Sequence, residues 1–297
     1  MGSRSAYITC TGKTDGIGAQ AIAIISTLLF ARGSGLQYLH TPFKKIAHNY
    51  DDDPEWEQKW ERFFNLGSGE LQFHDLHGDS EGLIRRSLRS GPHEDDLPLQ
   101  SRAGDLLEIG HCLKYADCNP DLFTFIRADL RKRYHLTPKI EVRRDGVLIL
   151  AMHVRRGDVS ASAARFTSNR DLSLLLSQLE SMLGKVPFEV HLFSQGSEDD
   201  FPEFSGRVIF HLDENPFQTF QWLVGADILI TAKSTFSYTA AILSQGTVIY
   251  FPFWHRPMWN WLRVDRHGAI RKTDLLRSLA RRSSSGVKKT APYEDFS

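Results

Sequence analysis

Hydrophobic and polar residues alternate along this 297-residue chain in the order typical of a doubly wound α/β protein. The β-prone run Ala6–Cys10 precedes a Gly-rich turn and the apolar stretch Ala19–Ala31, which together predict a strand, a turn and a helix. Polar residues interrupt the apolar stretch, and it is too short to span a bilayer, so we expect a buried helix. A second strand is predicted at Leu36–His40.

An amphipathic helix is predicted over residues 51–65, because large aromatic side chains recur there at helical spacing. They are Trp56, Trp60, Phe63 and Phe64. We interpret this stripe as core packing rather than as a surface on which bases stack. Residues 77–104 have little apolar periodicity and predict either a functional loop or a partly disordered segment. Helices are predicted again over Gly104–Leu113 and Pro120–Tyr134.

Strands and helices alternate more regularly in the second half of the chain. Val147–Val154 is a nearly continuous apolar run, typical of a strand buried in a parallel sheet, and the leucines of residues 172–183 have helical spacing. The remaining predicted elements are strands Phe188–Phe193, Arg207–His211, Ile228–Thr231 and Thr247–Phe251, and helices Pro216–Val224 and Thr235–Leu243. This alternation predicts a parallel Rossmann-like sheet.

Charge and composition exclude several classes of protein. The 36 Lys and Arg residues balance 36 Asp and Glu residues, whereas a nucleic-acid-binding protein with a wholly basic surface carries a positive net charge. Hydrophobic residues make up 41% of the chain, so it can bury a core, in one large domain or two of ordinary size. The three cysteines have neither a disulfide framework nor zinc-site spacing. No signal peptide is recognisable, so targeting is not readable.

Two phosphate-binding motifs near the N-terminus fail on their own criteria. Gly12 begins a Gly-Lys-Thr sequence, but Tyr7 stands where a P-loop requires glycine. Gly16 and Gly18 form a G-x-G-x-x-A sequence between strand and helix, yet no acidic residue follows the second strand near His40 to bind a ribose. The remaining prediction is a helix N-terminus whose backbone N–H groups face a ligand.

A charged sequence follows the apolar strand of the second half. Its members are His153, Arg155, Arg156 and Asp158, and in an open α/β sheet ligands bind just beyond the carboxyl ends of the strands. A guanidinium there can hold a phosphate through two parallel hydrogen bonds. The local chemistry leaves a second interpretation open, an Arg–Asp salt bridge on the surface.

A second candidate segment begins at Asp227 and ends in Ser234-Thr235-Phe236-Ser237. Ser234 and Thr235 follow a predicted strand and can cap the next helix, leaving N–H and hydroxyl donors at its N-terminus. This predicts a second phosphate-binding edge in the same sheet, although an ordinary helix cap has the same sequence.

The two segments together resemble the GDP-fucose-dependent fucosyltransferases, and their HVRRGD and STFS forms are most similar to the α-1,2 branch. The resemblance covers residues 15–20, 153–158 and 226–237, in the family's order. In the first of these segments Ala19 stands where the family has asparagine.

This resemblance implies a GT-B-like α/β fold, with two Rossmann-like domains facing a cleft. We expect an acceptor-side domain at 1–140, a domain at 141–275 that binds the nucleotide sugar, and a mobile tail at 276–297. The implied activity is inverting transfer of L-fucose from GDP-fucose to a glycan hydroxyl, with no metal and no other cofactor. No nucleic-acid partner and no membrane segment are expected, and the chain would be cytoplasmic or the soluble catalytic part of a secretory-pathway enzyme.

The family's motif residues carry over as follows. Arg155 would hold the diphosphate and stabilise the leaving group beside His153, and Asp227 would bind the guanine N–H groups. The diphosphate would be lined by Ser234, Thr235, Phe236 and Ser237, and the donor would also contact Gly16 and Gly18.

The catalytic base stays open. Some relatives have a glutamate where this chain has Ala163, which leaves Asp158 and Asp15 as candidates, and Asp158 can equally serve to orient an arginine. Two alternatives to the fucosyltransferase are a GT-B transferase for another nucleotide sugar and a catalytically silent glycan- or nucleotide-binding protein. Four aromatic residues near the C-terminus can stack on a sugar or cover a core: Trp254, His255, Trp259 and Trp261.

Overall fold

A computed structural model describes residues 6–49, 51–74, 83–88 and 102–284. The chain divides into two compact units, Met1–Pro138 and Lys139–Ser297. Each unit contains one sheet, and every strand pairing within the described residues is parallel. The predicted α/β class with two parallel sheets is confirmed.

The N-terminal unit has a five-stranded sheet. Its strands are β1 (Tyr7–Cys10), β2 (Gln37–His40), β3 (Leu71–Gln72), β4 (Ile84–Leu88) and β5 (Asp105–Ile109). They lie in the order β3-β2-β1-β5-β4, so β1 is central and pairs with β2 and β5.

Four α-helices belong to the described part of this unit: α1 (Ile17–Ser34), α2 (Trp56–Phe64), α3 (Leu113–Cys118) and α4 (Phe123–Tyr134). Helix α1 is almost entirely buried and ends where Gly35 takes a left-handed conformation with φ of 69°. Among the described residues it alone has the length and apolar character of a membrane span, a test that a buried core helix also passes. The aromatic stripe of α2 is buried, as predicted, with Trp60 fully enclosed.

Two predictions in this unit are wrong. The helix expected over Gly104–Leu113 is strand β5, because the run Asp105–Ile109 is too short for its apolar residues to distinguish a buried strand from a helix. Residues 84–88, inside the stretch predicted as a loop or disordered segment, form β4, which pairs along its whole length with β5. Residues 75–82 and 89–101 lie outside the described part of the chain.

The C-terminal unit has a six-stranded sheet. Its strands are β6 (Leu148–His153), β7 (Phe188–Ser194), β8 (Ile209–Leu212), β9 (Ile228–Ile230), β10 (Thr247–Tyr250) and β11 (Leu262–Arg263). Their order is β11-β10-β9-β6-β7-β8. Numbered within the unit, this is the 3-2-1-4-5-6 order of dinucleotide-binding Rossmann domains, whose switch point lies between the first and fourth strands. Here those strands are β6 and β9.

The helices of this unit are α5 (Asn169–Leu183), α6 (Pro216–Gly225), α7 (Thr235–Leu243) and α8 (Lys272–Ser284). Helix α5 is capped by Ser168, whose side chain accepts a hydrogen bond from the backbone N–H of Asp171. Its leucines enter the core with alternate residues of β6. Helix α8 corrects the predicted tail over residues 276–284. Its Leu275 and Leu279 are buried one turn apart, and residues 285–297 lie outside the described part.

Candidate active site at the carboxyl edge of the C-terminal sheet

The two strands at the switch point deliver the main candidate residues to one place. Strand β6 ends at His153 and β9 ends at Ile230, and the segments that follow them meet where the Arg155 Nη1 donates a hydrogen bond of 3.1 Å to the Ser234 Oγ. Parallel strands place their carboxyl ends at the same edge, where ligands of such sheets bind. We name this group the switch-point site; its members are His153, Arg155, Asp158, Ser234 and Phe236.

Arg155 is held on both sides of its guanidinium. Its Nε donates to the Asp158 Oδ1 at 3.0 Å, and its Nη2 donates to the Asp158 Oδ2. The turn between the two residues requires Gly157, which has φ of +75° and leaves no room for a Cβ beside the side chain of Gln195. The salt bridge predicted as an alternative is therefore present, but it orients an arginine that also reaches across to β9.

This arrangement leaves Arg155 equipped to bind an anion. A guanidinium has five N–H donors, and within the described part of the chain three of them bond Asp158 and Ser234. One N–H therefore remains on each terminal nitrogen and can donate to a phosphate oxygen. The side chain is 19% exposed, so these donors are partly shielded from water and electrostatically stronger for it.

Arg156 has a structural role instead. Its Nη2 donates to the backbone oxygen of Thr167 at 3.0 Å and to the Asn169 Oδ1 at 2.7 Å, while its guanidinium lies 4.2 Å from the centre of the Phe166 ring. Burial lowers the pKa of Arg156, and Asp200 acts in the opposite direction. These contacts pin the loop between β6 and α5.

The N-terminus of α7 forms the second side of the site. Ser234 is buried and caps the helix by accepting a hydrogen bond from the backbone N–H of Phe236 at 3.3 Å. Thr235 and Phe236 are half-buried in the first turn. Ser237 is fully buried and its Oγ accepts from the backbone N–H of Ala232 at 3.1 Å, so it fixes the strand-to-helix turn.

His153 contributes a neutral ring. Burial, reinforced by the Arg155 charge, lowers the pKa of its imidazole from 6.5 to about 3. The ring lies 5.6 Å from that of Phe236, and its buried Nδ1 has no hydrogen-bond partner among the described residues. Near pH 7 the ring therefore shares the site with Arg155 without adding a second positive charge.

Asp227 does not face this edge, so its position does not support the guanine-binding role, which stays a prediction. It precedes β9, so it lies at the amino end of the strand, where its Oδ2 accepts from the backbone N–H of Ile149 at 2.9 Å. Arg155 lies six positions after Ile149 along β6 and its extension, a span of about 20 Å. Asp227 is only 7% exposed, with Arg143 at 3.9 Å. It ties β9 to β6 at the opposite edge.

Gly16 and Gly18 lie in the N-terminal unit, at the carboxyl end of β1. Gly16 caps α1 through its backbone, and Gly18 is buried in the first turn. Asp15 is exposed and pairs with Lys13 at 3.1 Å. A small cavity of about 90 Å³ adjoins this turn, lined on one side by Lys13 and on the other by residues 41–44. The predicted contact of these glycines with the donor stays a prediction.

Sequence reasoning missed Arg165 and Lys233. The Arg165 Nη2 lies 4.0 Å from the Asp158 Oδ2, so a second guanidinium adjoins the switch-point site. Lys233 donates to the backbone oxygen of Phe166 at 3.1 Å and holds the same loop from β9. Lys233 precedes the Ser-Thr cap, which was a usable signal, whereas Arg165 lies in a loop without periodicity. Within the described residues no cluster of three or more His, Cys, Asp or Glu side chains has a metal-binding arrangement.

Comparison with known proteins gives distant structural relatives only. No protein-family model and no curated protein matches the sequence. Among solved structures, POFUT1 in complex with GDP-fucose is 10% identical, covers 83% of this chain and 96% of its own, and has a TM-score of 0.46. A variant of Arabidopsis thaliana FUT1 in complex with GDP is 12% identical over 82% and 70%, with a TM-score of 0.42. The fucosyltransferase NodZ from Bradyrhizobium is 13% identical over 81% and 94%, with a TM-score of 0.43.

The fold and the site define the class of this protein from its own geometry. It is an α/β protein with two parallel sheets, and its C-terminal unit has Rossmann strand order. An oriented arginine and a capped helix N-terminus meet at the switch point of that sheet.

Proposed function

We propose that the chain is a glycosyltransferase that moves L-fucose from GDP-fucose to a hydroxyl of a glycan acceptor. The observation that carries the proposal is the Arg155–Ser234 hydrogen bond across the switch point, because it brings a guanidinium beside the N-terminus of α7, two groups that both favour an anion. The HVRRGD and STFS motifs, which lie in this site, supply the choice of donor and favour an α-1,2-type linkage. In this proposal the C-terminal unit binds the donor and the N-terminal unit serves the acceptor.

The proposed chemistry follows from the charge of the leaving group. Cleavage of the bond between the sugar and the β-phosphate places negative charge on that phosphate. Arg155 and the first N–H groups of α7 stabilise this charge more in the transition state than in the ground state, which is what accelerates the reaction. Direct attack by the acceptor hydroxyl inverts the anomeric centre, and compensation by Arg155 makes a divalent cation unnecessary. We therefore expect transfer activity to persist in EDTA, and loss of activity in EDTA would contradict this part of the proposal.

Asp158 is proposed as the residue that positions Arg155. It engages the guanidinium through both oxygens, which fixes the direction of the remaining N–H donors. The base that accepts the proton of the acceptor hydroxyl is a separate question, for which Asp158 and Asp15 stay candidates. A variant with Asp158→Asn separates the roles, because loss of a base abolishes the acidic limb of the pH–rate profile while loss of positioning scales the whole profile down.

A transferase for another nucleotide sugar is the second candidate. The observation that favours it is the position of Asp227, since this acidic residue was the only one singled out for guanine and it faces the other edge. Calorimetry with GDP, UDP and ADP separates these candidates by the base preferred. Release of GDP from GDP-fucose, with and without glycans, then separates an enzyme from a silent binding protein. Tight binding of UDP with no response to GDP would contradict the fucosyltransferase.

A further inference from the structure

The loop that follows β10 carries two tryptophans into solvent. Trp254 is 57% exposed and Trp259 is 64% exposed, whereas His255 and Trp261 of the same loop are buried. The four aromatic residues singled out in the sequence thus divide into two that cover the core and two that remain accessible. Because β10 belongs to the parallel sheet, this loop emerges at the carboxyl edge, which also holds the switch-point site.

The backbone around Trp254 is fixed from below. The buried hydroxyl of Tyr238 donates to the backbone oxygen of Arg256 at 2.8 Å, and that of Tyr250 donates to the backbone oxygen of His255. The Tyr250 hydroxyl also accepts from the backbone N–H of Phe253 at 3.2 Å. Trp254 therefore lies on a segment whose backbone is hydrogen-bonded to buried tyrosines on both sides of it.

Arg165 links this tryptophan to the proposed catalytic group. Its guanidinium carbon lies 5.7 Å from the centre of the Trp254 ring, and its Nη2 lies 4.0 Å from the Asp158 Oδ2. That same carboxylate oxygen accepts from Arg155. Outward from the arginine that would hold the β-phosphate there thus follow a carboxylate, a guanidinium and an aromatic ring.

We infer that Trp254 is the platform on which a pyranose ring of the acceptor glycan packs. The inference rests on the proposed function, because it takes the β-phosphate to lie at Arg155. The apolar C–H face of a pyranose matches an exposed indole, while its hydroxyls can bond a neighbouring guanidinium or carboxylate. Arg165 and Asp158 supply these polar groups on the Trp254 side of the site, so this side suits a sugar.

The test compares Trp254→Ala and Trp254→Phe with a matched control, Trp259→Ala. Trp259 is equally exposed and its ring has a guanidinium partner, Arg281 at 5.4 Å, but that partner belongs to α8 rather than to the loop of the switch-point site. The probe is lactose, followed by the array glycan that the unaltered protein fucosylates fastest. We expect Trp254→Ala to raise the acceptor KM by about tenfold or more. Trp254→Phe should bring the KM most of the way back to that of the unaltered protein, and the control should leave it unchanged.

Two further measurements distinguish the other occupants. The rate at which GDP-fucose is hydrolysed without an acceptor is expected to be unchanged in Trp254→Ala, and so are the affinities for GDP and GDP-fucose. Weaker binding of GDP would assign the indole to the base, and weaker binding of GDP-fucose alone would assign it to the donor sugar, and either result overturns the inference. An unchanged acceptor KM overturns it too, whereas failure of the unaltered protein to transfer fucose to any glycan overturns the proposed function itself.

Discussion

The turn after β1 and the turn after β6 occupy equivalent places, each between the central strand of a parallel sheet and a long connection. In the N-terminal turn the polar groups satisfy one another: Lys13 pairs with Asp15, and the Gln20 Nε2 donates to the backbone oxygens of Asp15 and Lys44 at 2.9 and 3.0 Å. In the C-terminal turn Arg155 bonds Ser234, a residue that follows another strand. The two turns thus share an architecture, but only the C-terminal one holds a cation between the ends of two strands.

The largest effect is expected from Arg155→Ala. It removes the guanidinium proposed to stabilise the leaving phosphate, so kcat/KM for GDP-fucose should fall by the equivalent of about 2.7–4 kcal/mol, the scale of one oxyanion-type donor. The matched change in the other turn, Lys13→Ala, should cost far less. Steady-state kinetics measure the loss of kcat/KM in both variants, and circular dichroism checks that both are folded. Near-normal turnover in Arg155→Ala would show that Arg155 does not stabilise the leaving phosphate.

Arg156→Ala should act on stability rather than on chemistry. Two charge-assisted hydrogen bonds and a packed aromatic ring disappear, so we expect the free energy of unfolding to drop by about 2–3 kcal/mol. Chemical denaturation measures this loss, and Arg170→Ala, an exposed position on α5, is the control. Full stability with a loss of nucleotide affinity in Arg156→Ala would contradict the structural role and would assign nucleotide binding to Arg156.

Asp227→Ala should lower stability by about 1–3 kcal/mol, because the backbone N–H of Ile149 loses its partner. The ratio of the affinities for GDP and UDP should stay as it is, since Asp227 faces the edge opposite the switch-point site. Denaturation and calorimetry on the same preparation give both quantities. A selective loss of GDP binding would instead support the guanine-binding role predicted for Asp227.

The pH dependence of stability reports on the protonation of His153. The pKa of His153 is about 3 in the folded chain and 6.5 ordinarily, so the unfolded state takes up this proton first as the pH falls. Stability should therefore be unaffected above pH 6.5 and should decrease below it, by up to about 1.4 kcal/mol per pH unit, until about pH 3. The curve for His153→Gln should be flatter over that window. Parallel curves for the two proteins would mean that the imidazole is not held neutral.

Much of the C-terminal unit could be predicted from sequence because each buried strand and amphipathic helix has its own periodicity there. β4 and β5 could not, since their segments are too short to be recognised alone: β5 is a strand through its pairing with β1 and β4, and β4 through its pairing with β5. The Arg155–Asp158 pair follows from local spacing, whereas the bond from Arg155 to Ser234 joins residues 79 positions apart and depends on strand order. Asp227 could have been placed correctly: a residue that precedes a parallel strand lies at the edge away from the ligand.

A crystal structure of this protein with GDP bound tests most directly whether the switch-point site binds the diphosphate. We expect the β-phosphate within hydrogen-bond distance of the two Arg155 terminal nitrogens and of the first backbone N–H groups of α7, with Asp158 still bonded to the guanidinium. A diphosphate bound at the amino edge beside Asp227, or at the N-terminal turn alone, would contradict the account.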